Sequence, residues 1–228
     1  MTTPLRLHYA PDNASLCVRL ALDHLDLPFE TVLVDRGARA QRSAAYLALN
    51  PNGLIPVLET PEGPMFETGA ILLWLADQNG GMMAGPRGAG RAHDVQWLVW
   101  LANTLHPALR ILFYPDKHVD GDVRALHERT QARVAEMLRV MNDAARAPWL
   151  EADGPTAQGC YLAPMLRWLA LYGAPNDWFA LSDYPRLLAF ARRADQWACT
   201  AKAQAAEGLG PMPFSAPSPP NPPEGRAI

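Results

Sequence analysis

The chain has 228 residues, of which 49% are hydrophobic and 19% charged, and a formal net charge of -3. That length accommodates two modest domains or one large one, and the composition is that of a globular protein rather than a disordered one. A slightly acidic chain without a basic run interleaved with aromatics offers no nucleic-acid surface, and no window reaches the ~20 apolar residues of a membrane span.

The first residues, Met1 to Arg6, lack the apolar core of a signal peptide. Cys17, Cys160 and Cys199 are an odd number at wide spacing, which makes neither a disulfide framework nor a zinc site. They read as buried free thiols of a cytoplasmic protein, and no metal is expected.

Residues 5–9 read as a strand. In 15–25, Val18, Ala21, Leu22 and Leu25 recur at helical spacing. A second β-branched strand follows at 31–34. After an arginine-rich stretch, 44–49 reads as a short helix that ends at Asn50-Pro51-Asn52-Gly53. Two short strands, 57–59 and 65–66, flank the turn Thr60-Pro61-Glu62-Gly63, and 71–76 continue as a helix. Alternation of this kind predicts a mixed sheet with helices on its faces.

Asn79-Gly80-Gly81 and the run from Gly85 to Gly90 are dense in helix breakers. Beyond them the pattern is helical. Val95, Leu98, Val99, Ala102, Leu105 and Leu109 form one stripe, and Val123 to Met141 another. Residues 162–171, read as apolar all round, predict a buried central helix. Pro185 follows Ser182-Asp183 as a first-turn proline. The expected organisation is an α/β domain over 1–80, a linker over 81–91 and an all-α domain over 92–210. Seven prolines in 211–228 predict a disordered or extended tail.

Two short motifs carry chemistry. In Leu54-Ile55-Pro56-Val57 the proline cannot donate to a sheet ladder, so it belongs at an edge or beside a turn. A cis Ile55–Pro56 bond leaves the Ile55 amide and carbonyl free to pair with a peptide-like ligand. In Glu67-Thr68-Gly69 the threonine is an N-cap candidate, and the helix start it opens suits a carboxylate. Glu67 beside it suits an ammonium group. Together they fit an α-amino acid head group next to a peptide edge, the two ends of a γ-glutamyl peptide. Taken singly, each motif is equally a turn proline and a capped surface helix.

The run from Asn50 to Leu58, then Glu67-Thr68, then Ile71-Leu72-Leu73-Trp74-Leu75-Ala76-Asp77 resembles the signature of glutathione transferases. Leu27-Pro28-Phe29-Glu30, Asp183-Tyr184-Pro185-Arg186-Leu187 and Ala205-Ala206-Glu207-Gly208-Leu209 are similar to the family too, so the resemblance covers most of the chain. It implies a thioredoxin-like N-terminal domain, an all-α C-terminal domain, a homodimer and glutathione as cosubstrate. Carried over, Ile55 binds the cysteinyl moiety, Pro56 is the cis proline, and Glu67 and Thr68 hold the γ-glutamyl end. Arg36, Arg39 and Arg42 compete for the glycine carboxylate, with Arg39 among the two nearest.

Such a thiol titrates near ~8.5, and lowering that by about two takes ~2.7 kcal/mol of preferential thiolate stabilisation. The family supplies it where strand one meets helix one, here Tyr9-Ala10-Pro11-Asp12-Asn13-Ala14-Ser15-Leu16-Cys17. The Tyr-x-Pro opening and Ser-Leu pair resemble the bacterial beta class, whose cysteine position is Ala14. Mixed-disulfide chemistry at that residue is therefore excluded. Ser15 is the first candidate to hold the thiolate and Asn13 the second, while a plain capping role fits Ser15 equally well. Asp12, an anion, is expected to oppose activation.

His106, before Leu112-Phe113-Tyr114-Pro115, also resembles the beta class, with Pro107 where that class carries lysine. It is a candidate donor in the cleft. Tyr9, Trp97, Trp100 and Tyr114 are candidates for a second-substrate pocket, although aromatics at helical spacing also serve as core. Gly159 stands where the family completes a capping box begun at Thr156. The reading is conjugation of glutathione to a small hydrophobic electrophile. The alternatives are a non-catalytic glutathione-binding protein and a glutathione-dependent isomerase or lyase.

Overall fold

A computed structural model describes residues 4–143, 147–172 and 178–227. The first unit runs β1 (Leu5–Tyr9), α1 (Ser15–His24), β2 (Phe29–Leu33), α2 (Ala44–Leu49), β3 (Val57–Thr60), β4 (Gly63–Phe66) and α3 (Thr68–Asn79). Its sheet has the order β2-β1-β3-β4. β1 pairs parallel with β2 and antiparallel with β3, and β3 pairs antiparallel with β4. This is the mixed, helix-covered sheet that the alternating pattern predicts. Leu16, Val18, Leu20 and Leu22 of α1 are fully buried, each stabilising by roughly 1.5–3 kcal/mol relative to exposure.

The remainder is helical: α4 (Arg91–Trp100), α5 (His106–Phe113), α6 (Arg124–Asn142), α7 (Ala157–Tyr172), α8 (Pro185–Ala194) and α9 (Ala198–Glu207). The single helix expected over 92–112 is interrupted by a π-helical turn at Leu101–Leu105. Pro107 has no N–H to return to the preceding turn, and a widened turn just before it accommodates that loss. α7 is the buried central helix, packed on α1, α3, α4 and α8. It carries Arg167, a cation with no exposed surface. At its start Thr156 Oγ1 accepts from the Gly159 amide at 2.9 Å. A Cβ on Gly159 would lie 3.2 Å from Trp197 and 3.4 Å from Phe190. The missing half of the capping box is thus a packing requirement, since α8 and α9 press against the helix there.

The tail departs from expectation. Phe214 is fully buried, and Asp195 at the end of α8 accepts from the Phe214 and Ser215 amides at 2.8 and 3.2 Å. Arg167 donates to the carbonyls of Leu209, Pro213 and Ser218 at 3.0 to 3.2 Å. α9 ends on Gly208 at φ 63, and a Cβ there would fall 1.9 Å from the Asn221 carbonyl, because the returning tail crosses at that point. Proline content lowers the entropy of ordering the segment, and one buried arginine satisfies two of its carbonyls as well as that of Leu209 just ahead of it. The tail then runs back across the first unit, as far as Ala227.

Candidate active site

Between the sheet unit and helices α5 and α7 lies a cleft of about 570 Å³, within the usual size of a small-molecule site. One wall is the segment before β3. Asn50 Oδ1 accepts from the Asn52 amide at 3.0 Å, and Asn50 Nδ2 and the Tyr46 hydroxyl both donate to the Leu54 carbonyl at 2.8 Å. Gly53 has φ 60, and a Cβ on it would sit 2.8 Å from the Gln41 carbonyl, so glycine is required. The chain then passes through a cis Ile55–Pro56 bond. Sheet pairing begins only at Val57, which leaves Ile55 ahead of the strand on the cleft rim.

The next wall is the start of α3. Glu67 has φ 72 and lies outside the helix, Thr68 is its first residue, and both line the cleft. The Tyr161 hydroxyl of α7 lies 2.9 Å from His106 Nδ1. Burial, together with the nearby Arg110 charge, pushes His106 down to about 4. The ring is therefore neutral at physiological pH, with one donor and one acceptor. With Tyr161 donating to Nδ1, the other ring nitrogen carries the proton.

The floor is the turn between β1 and α1. Asp12, Asn13 and Ala14 line the cleft, and no side chain caps α1 at Ala14. Asp12 is buried at φ 51. Its Oδ1 accepts from Arg167 Nε and Trp168 Nε1, each at 2.9 Å, and its Oδ2 accepts from the Tyr172 hydroxyl at 2.5 Å. Its amide donates to Glu207 at 2.8 Å, and Glu207 accepts from Arg19 at 2.7 Å. Asp12 is therefore not the free anion that the sequence suggests. Arg167 offsets its charge, and three donors take up its oxygens.

Several sequence candidates converge here: Asn13, Ile55, Pro56, Glu67, Thr68, His106 and Tyr114, with Arg36 and Arg42 beside them. Ser15 does not reach the cleft. It is fully buried, and its hydroxyl donates to the Ala10 carbonyl at 3.1 Å, which staples the turn from below. Tyr9 is also outside the lining; its hydroxyl donates to Glu224 and Arg19 lies over its ring at 4.9 Å. Trp100 packs edge-on against Trp97, ring centroids 5.2 Å apart, away from the lining. Arg39 is exposed at φ 55, whereas Arg36 and Arg42 face the site. Cys17 is core, and burial pushes its thiol up. No group of three or more metal-ligating side chains occurs among the described residues, and none of their helices is long and apolar enough to cross a membrane.

Tyr161, Arg167, Trp168 and Tyr172 are functional neighbours that the motif reading misses. The available signal was Arg167, a single charge inside an otherwise apolar run, which a buried helix tolerates only when paired.

Residues 4–77 match the family model described as glutathione S-transferase, N-terminal domain. The chain is 30% identical to glutathione S-transferase GST-4.5 of Xanthomonas campestris pv. campestris, over 90% of this chain and 100% of that one. It is similar in structure to a bacterial beta class glutathione S-transferase of Sphingomonas chungbukensis, with 27% identity and a TM-score of 0.75 over 90% and 100% of the two chains. A sphingomonad glutathione S-transferase complexed with glutathione matches at 28% identity and a TM-score of 0.73, with the same coverage.

Proposed function

We propose, from the premise that this chain belongs to the glutathione S-transferase family of enzymes, that its cleft binds glutathione as cosubstrate and conjugates it to a small electrophile. The observation that carries this reading is the opening of three features into one cavity: the Ile55 rim, the Glu67–Thr68 helix start and the uncapped start of α1. The Ile55 backbone pairs with the cysteinyl unit as a strand edge would. Thr68 and the α3 amides hold the γ-glutamyl carboxylate, and Glu67 holds the amine. Gln41 and Arg42, past Gly53, suit the glycine end.

Thiolate stabilisation falls to the first-turn amides of α1, because Ser15 is bonded to Ala10. Neutral His106 is the donor opposite them, oriented by Tyr161. The thiol proton leaves to solvent, the sulfur forms a bond to the electrophilic carbon, and the leaving group departs with the bonding pair. Ala14 cannot form a mixed disulfide, which favours conjugation over thiol–disulfide exchange. Titration calorimetry with glutathione, beside turnover of 1-chloro-2,4-dinitrobenzene, tests the reading. Absence of glutathione binding at millimolar concentration refutes the grip; binding without turnover of any electrophile leaves a glutathione-binding protein. A homodimer is the expected assembly, to be checked by light scattering.

A further inference from the structure

Three cations converge on Tyr114 at the thiol side of the cleft. Arg36 Nη2 donates to the Tyr114 hydroxyl at 3.3 Å, the Lys117 ammonium lies 4.0 Å from the ring centroid, and the Arg110 guanidinium lies 5.9 Å from it. Among the described residues none of the three is in an ion pair. Of the two carboxylates in the cleft lining, Asp12 is matched by Arg167, and Glu67 stands at the α3 start. In a chain of net charge -3, a positive cluster inside a concave site that no described carboxylate pairs with selects for an anion.

What Arg36 holds instead is the end of the tail. The Ala227 carbonyl accepts from Arg36 Nη1 and from Asn13 Nδ2, the latter at 2.9 Å, and Ala227 lines the cleft. Asn13 spends its other amide hydrogen on the Pro11 carbonyl at 2.8 Å. The tail therefore has two unequal parts. Its foundation, around Phe214, is buried and held by Arg167 and Asp195. Its tip, residues 224–227, is largely exposed and attached by the Glu224–Tyr9 bond and the two donors on Ala227. A carbonyl is neutral, so it bonds Arg36 without offsetting its charge. A carboxylate would do both, and hydrogen bonds between charged groups are roughly twice as strong as neutral ones.

We propose that Arg36, Arg110 and Lys117 around Tyr114 form a subsite for a carboxylate on the second substrate, and that the Ala227 carbonyl is a neutral placeholder which such a carboxylate displaces. The preferred electrophile is then a small aromatic or unsaturated acid rather than a purely apolar molecule. This rests on the conjugation reading above. The glycine end of glutathione is a second source of the same chemistry, and the experiment separates the two.

The test compares 4-chloro-3,5-dinitrobenzoate with 4-chloro-3,5-dinitrobenzamide, which differ by one charge; each kcat/KM is divided by the rate constant of the uncatalysed reaction with glutathione, because the carboxamide draws more electron density from the ring than the carboxylate does. With either, glutathione sulfur bonds the chlorinated ring carbon and chloride leaves with the bonding pair. Wild type is expected to favour the benzoate in kcat/KM by about tenfold at low ionic strength. The ratio is expected to fall toward one in about 0.5 M salt, and in the R110Q/K117Q double variant at low salt. Gly225→Val puts a Cβ 2.7 Å from Leu33, where φ 74 already disfavours a side chain. It dislodges the tip within the full-length chain, and the benzoate KM is expected to fall a few-fold.

A wild-type ratio near one, or a preference that survives both salt and the double variant, overturns the subsite. If R110Q/K117Q weakens glutathione but not its glycine ethyl ester, the carboxylate belongs to glutathione and the second-substrate assignment is wrong. If neither electrophile turns over, conjugation fails, and calorimetry with unreactive 3,5-dinitrobenzoate on the protein saturated with S-methylglutathione decides. Binding that the double variant loses sustains the subsite; binding indifferent to it, or none, overturns it.

Discussion

Replacing Asp12 with asparagine keeps the shape of the side chain and removes its charge from a position where Arg167 has no exposed surface. Asp12 is the carboxylate that faces Arg167, at 2.9 Å, and the other partners of that guanidinium are the carbonyls of Leu209, Pro213 and Ser218. Removing one member of a buried pair strands the other, at a cost of about 3–5 kcal/mol. A chain of this size loses roughly 2–4 °C in Tm per kcal/mol, so a fall of about 6–20 °C is expected. The companion variant Arg167→Met removes the cation, and in the double variant no unpaired charge is left buried. The two effects should therefore fall short of adding by ~1–3 kcal/mol. Urea unfolding of all four proteins closes the cycle, and amide exchange over residues 209–218 reports whether the tail loosens with Arg167. A loss below ~1 kcal/mol for Asp12→Asn, or strict additivity, would refute the view that this pair holds the turn and the tail together.

Ser15→Ala is expected to destabilise by about 1 kcal/mol, the worth of a staple to the Ala10 carbonyl, while the thiol pKa read from the pH–rate profile stays put. An upward shift in that profile would restore Ser15 as the thiolate's partner. Thr68→Ala should weaken glutathione binding about 5–30-fold, whereas Thr68→Ser should stay within about threefold by calorimetry. His106 is held down at about 4 against an ordinary 6.5. Between those values the unfolded chain binds a proton that the folded one refuses, so stability falls as pH drops through that window. At pH above both values the term is constant. Urea midpoints measured from about pH 7.5 down to about 4.5 should show a decline of at most about 3 kcal/mol, which His106→Gln reduces. An identical decline in the variant assigns it to other groups.

The sheet unit was legible because its signals are local. Proline at Pro56, the Asn50 to Gly53 turn and the helix start at Thr68 each declare a backbone geometry within a few residues, although the N-cap position is taken by Glu67 rather than by Thr68. The proposed γ-glutamyl grip draws on the last of these, since Glu67 and Thr68 sit at that helix start. The thiol side was not legible for the same reason inverted. Whether Ser15 faces the cleft or the Ala10 carbonyl depends on the rotation of α1 against the sheet, and no neighbouring residue encodes that. Asp12 reads as a free anion until Arg167, 155 positions away, comes beside it. The tail misled because its composition is that of disorder. Phe214 and the arginine that satisfies its carbonyls are the exceptions that tie it down, and only one of those two lies within it.

The partners of Asp12 also bear on how the molecule is made. Its side chain waits for residues 155 to 160 positions downstream and its amide for Glu207, 195 positions downstream. At about 5–20 residues per second, synthesis separates Asp12 from Glu207 by roughly 10–40 s. Through that interval the sheet and its helices can assemble on the nascent chain, but the turn that will face the substrate cannot close. Its carboxylate must remain in water until α7 emerges, and its amide until the last helix does. The proposed glutathione rim is thus finished early and the turn proposed for the thiol last, so a chain stalled before Glu207 would display the first without the second.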